Sequence, residues 1–101
     1  MATTTKALVR TAATTNTATT LYTVPSATTT VISSIVLANT AASTSTATIS
    51  FDGVVAVPTV SIAANTVIEI SLKQVLNATK TITGGASTTA VTIHISGVEI
   101  A

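Results

Sequence analysis

Apolar and polar side chains alternate one by one along much of this chain, most clearly at residues 66–73, T-V-I-E-I-S-L-K. Ile68, Ile70 and Leu72 fall on one parity, and Val67, Glu69, Ser71 and Lys73 on the other. A period of two marks a half-buried strand, because successive side chains leave opposite faces of the pleat. Residues 89–96, T-A-V-T-I-H-I-S, repeat the pattern, with Val91, Ile93 and Ile95 inward and Thr92, His94 and Ser96 outward. Past Gly97 the apolar positions change parity to Val98 and Ile100, which predicts a bulge at Gly97. In 45–51, S-T-A-T-I-S-F, the apolar Ala47, Ile49 and Phe51 alternate with Thr46, Thr48 and Ser50. Hydroxyls therefore form the solvent face of that strand. Asp52-Gly53 follows, then V-V-A-V, and Asp-Gly between apolar β-formers predicts a two-residue hairpin turn.

The remaining segments are shorter or less regular. Residues 29–38, T-T-V-I-S-S-I-V-L-A, are apolar on both parities and read as a central strand, or one covered on both sides. Residues 19–24 lead into a turn at Pro25-Ser26, residues 6–12 form a first strand or an arm, and 78–83 end at a Gly84-Gly85 turn. K-Q-V-L at 73–76 reads as one helical turn. Two stretches, V-P-S-A-T-T-T-V-I-S-S-I and I-A-A-N-T-V-I-E-I-S-L, both run from a turn into a strand. Two weak copies are recurring strand chemistry rather than a repeat array. Seven or eight short strands at this spacing predict an all-β fold, a single antiparallel β-sandwich of Ig-like or jelly-roll topology. Residues 1–17 are its N-terminal arm or first strand, and 18–101 the sandwich domain.

Composition sharpens this picture. Thr fills 25 of 101 positions, and Thr, Val and Ile are stiff at χ1 and suited to sheet. Hydrophobic residues make up 47%, but many are Ala, and Tyr22 and Phe51 are the only aromatics. The core must be aliphatic, or shared with a partner chain. Charged residues are 7%, against about 25% in ordinary domains. Lys6, Arg10, Lys73 and Lys80 are scattered, so no basic patch for nucleic acid is expected. So little charge favours self-association, and a homo-oligomer follows as the expectation. No cysteine is present for a disulfide or a thiolate metal site. No apolar run approaches the length of a membrane span, and the N-terminal stretch M-A-T-T-T-K-A-L-V-R-T lacks an apolar h-region. Neither a span nor a signal peptide is expected. Asn77-Ala78-Thr79 fits the glycosylation pattern, which a Thr-rich chain meets by chance.

Candidate chemistry is sparse. His94 is the sole histidine, and Asp52, Glu69 and Glu99 are the sole acids. A metal site draws on several such ligands, so His94 reads as a solvated strand residue unless symmetry mates gather it on a three-fold axis. No nucleophile elbow appears, and Gly84-Gly85 lacks the Lys of a phosphate loop. Paired-carboxylate chemistry needs two acids close together, and Glu69 and Glu99 could be neighbours on adjacent strands, but nothing in the sequence requires it. The expectation is a protein that is not an enzyme and takes no cofactor. Three Thr pairs, Thr46/Thr48, Thr17/Thr19 and Thr79/Thr81, raise ice binding, but they fall at irregular intervals. Glycan binding usually rests on aromatic platforms, and one Tyr and one Phe are a poor supply.

The run L-Y-T-V-P-S-A-T-T-T-V-I-S-S-I-V-L-A-N-T at 21–40 resembles a motif of small structural proteins of tailed bacteriophages. Its form is Leu-Tyr-Thr-Val-Pro, a short turn, then a Thr/Val strand leading to an Asn. F-D-G-V at 51–54, S-I-A-A-N-T-V-I-E-I-S-L at 61–72 and H-I-S-G-V-E-I at 94–100 continue in the same style. The resemblance implies a β-sandwich virion protein, assembled in the host cytoplasm, of the capsid decoration or minor capsid type. It implies the major capsid protein as partner and carries no catalytic or ligand positions. Tail, collar or fibre parts are the alternative setting. A trimer would suit capsid local three-folds. The candidate capsid-contacting arm is residues 1–17, with Lys6, Leu8, Val9 and Arg10 as its contact residues.

Overall fold

The chain turns back on itself within two residues at Asp52-Gly53, and the rest of the architecture nests around that turn. Asp52 and Gly53 both have positive φ, 52° and 76°. That is the type I′ combination, whose twist matches the strands it joins. It connects β4 (Ser45–Phe51) to β5 (Val54–Ile62). Outward from it lie β3 (Thr29–Asn39) and β6 (Thr66–Leu76), then β2 (Thr20–Thr23) and β7 (Thr81–Ala86), then β1 (Thr3–Ala12) and β8 (Val91–Ile100). The computed structural model describes residues 3–101.

These nested pairs alternate between two four-stranded sheets. The first has the order β1-β8-β3-β6 and the second β2-β7-β4-β5, with every pairing antiparallel. A long hairpin rolled so that successive strand pairs fall in alternate sheets is a jelly roll. Of the two expected topologies the strand order selects this one. β3 is a central strand, flanked by β8 and β6, and its extra residue Ser33 switches the inward parity from Thr30 and Ile32 to Ile35 and Leu37, which explains its apolar residues on both parities.

The two inner faces meet in an aliphatic core. Ile32, Ile35 and Leu37 of β3 and Val91, Ile93 and Ile95 of β8 face Ile49 of β4, Ile62 of β5 and Ile82 of β7, all fully buried. Each such side chain contributes about 1.5–3 kcal/mol. Ile68, Ile70 and Leu72 of the edge strand β6 pack against the same core while remaining half-buried. Among the described residues no buried side-chain nitrogen or oxygen lacks a hydrogen-bond partner.

Several local expectations need correction. Residues 73–76 form no helical turn but continue β6, where Val75 pairs with Val31 and Leu76 with Thr30. Sheet pairing overrides the helical preference of a short Lys-Gln-Val-Leu run. Gly97 is not itself the bulge. β8 runs straight through it, and the extra residues belong to its neighbours. Leu8 on β1 faces the step between Ile95 and Ser96, and Ser33 on β3 faces the step between Ser96 and Gly97. The inward parity of β8 therefore persists through Gly97 to Glu99. Gly84-Gly85 ends no strand, since both lie within β7. A Cβ on Gly85 would come within 2.6 Å of the Asn16 carbonyl oxygen, so glycine lets the β1–β2 loop cross the outer face of the second sheet. Ser50, expected on the solvent face, is buried.

Candidate interaction surface

The four residues expected to form a contacting arm lie on β1, an edge strand paired with β8, and they split into two kinds. Leu8 and Val9 belong to the core, so their side chains are already engaged within the sandwich. Lys6 and Arg10 are exposed. Lys6 is opposite Gly97 on the inward parity, and Arg10 is opposite His94 on the outward parity. The structure thus uses residues 3–12 as the first strand rather than a free arm, and residues 1–2 lie outside the described residues. Residues 13–19 form a loop, whose Thr14 and Thr19 accept backbone hydrogen bonds from Ala86 and Gly84.

Inward-pointing Lys6 leads to a polar cluster at one end of the sandwich. Glu99 of β8 points between the sheets and accepts a hydrogen bond from the Tyr22 hydroxyl of β2, in the opposite sheet. Tyr22 also shares a 3.0 Å hydrogen bond with Thr30 of β3, and Lys6 Nζ lies 3.4 Å from Glu99 Oε1. The Glu99 side chain is only 14% exposed. The Tyr22 hydroxyl, helped by Lys6, holds its carboxyl below the usual carboxylate range against the opposing effect of burial. Burial first, then the hydrogen bond to Glu99, pushes the Tyr22 hydroxyl up. The cluster ties β1, β2, β3 and β8 together and has the character of a structural seam. No local pattern discloses it, because its partners are 77 and 93 residues apart.

The residues that carry the bacteriophage resemblance turn out to hold the fold. Val24 is buried, and its backbone exchanges hydrogen bonds with Thr79 and Lys80. Asn39 is buried at the end of β3. Its Nδ2 donates to the carbonyl oxygens of Ser43 at 2.9 Å and Ile62 at 3.0 Å, and its Oδ1 accepts from the Ala41 amide at 3.0 Å. One side chain thus pins the β3–β4 loop to the end of β5.

The other charged groups are dispersed. Lys80 and Asp52 form an exposed ion pair at 3.8 Å. Glu69 and His94 sit on the outer face of the first sheet, in one row across the strands that reads Arg10, His94, Val36, Glu69. Glu69 and Glu99 lie on opposite faces of that sheet. Among the described residues no three His, Cys, Asp or Glu side chains gather into a metal-binding group. The three Thr pairs do not share a strand face, because only Thr46 and Thr48 both lie on a strand, while Thr17, Thr19 and Thr79 are in loops.

What the surface does present is exposed valine. Val54 and Val55, just past the Asp52-Gly53 turn, are 70% and 54% exposed. On the outer face of the first sheet, exposed Val75 lies in one row with half-buried Val31 and Val98, and exposed Val67 sits in a second row beside Ala38.

No protein-family model matches the chain, and no curated protein matches it. Among solved structures, a β-(1,4)-mannanase from Podospora anserina aligns with 96% of this chain at 13% identity and a TM-score of 0.46, over 27% of its own length. An exo-β-1,3-galactanase from Phanerochaete chrysosporium, solved with galactose, aligns with 95% of this chain at 18% identity and a TM-score of 0.40, over 29% of its own length. The chain thus spans less than a third of either structure. A likeness this loose says nothing of what this chain binds or does.

Proposed function

We propose that this chain is a non-enzymatic virion structural protein of a tailed bacteriophage. In this reading it is a capsid decoration or minor capsid protein that binds the major capsid lattice and stabilises it. The supporting observation is the pairing of a jelly-roll sandwich with an almost uncharged surface that leaves Val54 and Val55 standing out from a hairpin tip. Jelly rolls serve viral capsids and lectins alike, so the fold alone assigns no role. The surface adds to it. A shell subunit held in many copies gains buried area from its neighbours, and Thr, Ser and Val suit a surface that is covered. The hairpin tip replaces the N-terminal arm as the element that reaches the major capsid protein. Val54 and Val55 are 70% and 54% exposed, so covering them contributes about 2–4 kcal/mol before the cost of association. The action is mechanical: the module bridges adjacent capsid subunits and adds interface area against internal pressure.

Cryo-electron microscopy of particles that carry the chain tests this. Sandwich density bridging major capsid subunits on the outer head lattice, lost in a Val54→Asp/Val55→Asp variant, is the expected result. Density confined to the neck, tail or fibres moves the protein to the tail, collar or fibre setting. Absence from every particle, checked by mass spectrometry of purified virions, overturns the virion reading.

A further inference from the structure

We propose that the outer face of the first sheet is a self-complementary interface, on which a second copy of this chain docks about a two-fold axis. The inference is independent of the virion reading. It starts from the order of side chains across β1-β8-β3-β6. Residues opposite each other on antiparallel neighbours share a face, so the register arranges the outer face in rows. One row runs Arg10, His94, Val36, Glu69, with its cation on β1 and its anion on β6. Neither charge has an ion-pair partner among the described residues. Another row runs Val98, Val31, Val75.

Consider two such faces related by a two-fold axis that lies in the interface, parallel to the strands, between β8 and β3. Each row then covers the same row of the second copy in reverse order. β1 faces β6 of the second copy, and β8 faces its β3. Arg10 meets Glu69 of the second copy, and Glu69 meets its Arg10, so one row supplies two ion pairs. Val31 and Val98 cover each other's counterparts, and the apolar row is closed. Twisted sheets stack with their strands about 30° apart, and the long Arg and Glu side chains span that offset. Lys73, at the β6 rim, faces the stretch of β1 around the small Ala7 and keeps its ammonium in water.

Area and edge chemistry favour this mode. Four strands about 4.8 Å apart, over about ten residues of about 3.3 Å each, present roughly 600 Å² per copy. The pair buries about 1,200 Å², above the roughly 1,000 Å² that a specific interface needs. Edge-to-edge pairing, the other way for β-sandwiches to associate, is obstructed at every edge. β5 carries Pro58 and two register breaks, β2 has four residues and one break, and β1 and β6 each carry a break beside a lysine, Lys6 and Lys73. The contact is two-fold, in place of the three-fold association expected from capsid geometry.

Sedimentation equilibrium of the full chain, from about 1 to 200 µM, tests the interface with Arg10→Glu, Glu69→Arg and the double exchange. The wild type is expected to be a dimer. Each single reversal turns two attractive pairs into two repulsive ones and weakens the dimer at least about tenfold. The double exchange restores the pairs with their signs swapped and recovers affinity to within about threefold. Both residues are exposed, and circular dichroism confirms that each variant folds. A wild type that stays monomeric or forms trimers overturns the proposal. So does a dimer that the single reversals leave intact, or one that the double exchange fails to rescue.

Discussion

Replacing Gly97 with alanine tests the close approach of three strands in the first sheet. A Cβ there would lie 2.2 Å from the Val31 carbonyl oxygen, 3.1 Å from Ile32 Cα and 3.1 Å from Leu8 Cδ1. The carbonyl must retreat until that separation reaches the 3.4 Å of an ordinary contact. It belongs to β3, which is paired on both sides, so the retreat disturbs two ladders. Overpacking of this kind costs about 1–3 kcal/mol, and a weakened ladder bond adds about 1. The stiffer unfolded chain returns about 0.4–1 kcal/mol. The net expectation is a loss of about 1–3.5 kcal/mol, or roughly 5–25 °C in Tm for a domain this size. Gly53→Ala is the control, because it meets open space and carries only the strain of its positive φ, about 1 kcal/mol. Urea unfolding followed by far-ultraviolet circular dichroism measures both. If Gly97→Ala costs no more than about 0.5 kcal/mol, the range of an ordinary surface substitution, the reasoning from strand approach is wrong.

Three further outcomes are expected. Asn39→Ala removes the donor that satisfies the buried Ile62 carbonyl and should cost about 2–3 kcal/mol in urea unfolding; a loss under about 1 would show that the loop holds without it. The lowered Glu99 pKa means that the folded state binds its proton less readily than the unfolded state. Its contribution is therefore present above pH ~4.3 and lost as pH falls through the folded value. Glu99→Gln should lose less Tm than the wild type as pH is lowered from about 6 to about 3, and parallel losses would refute the assignment. With three acids in the chain, and Asp52 and Glu69 exposed, little else competes for that signal. Thr79 is a β-branched residue held at φ 71° in an exposed turn, so Thr79→Asn should raise stability by about 0.5–1 kcal/mol, read as a higher Tm.

Local chemistry brings the strands into view. Alternation at 45–51 and 89–96 identifies the inward residues, and Asp52-Gly53 announces the turn around which the roll is built. What escapes depends on distant partners. Glu99 looks like the outward residue of an apolar pair because nothing near it in sequence discloses Tyr22 and Lys6 across the fold. The break near Gly97 is visible in sequence, but which strand carries the extra residue is decided by neighbours on either side. Gly84-Gly85 reads as a turn because the loop that crosses over it lies far earlier in the chain, at Thr14 and Asn16. The contact surface is the least legible. Strand order brings Arg10 and Glu69 into one row, and no local pattern foreshadows that.

The pairing of β1 with β8 places Thr3 beside Ile100. The chain therefore comes in and goes out through adjacent doors at one end of the sandwich. Whatever is joined to either side emerges at the same place, the end that also carries the Asp52-Gly53 tip, leaving both sheet faces clear. Such a unit behaves as a cassette: it can be spliced into a surface loop of another protein with little stretching of the host backbone.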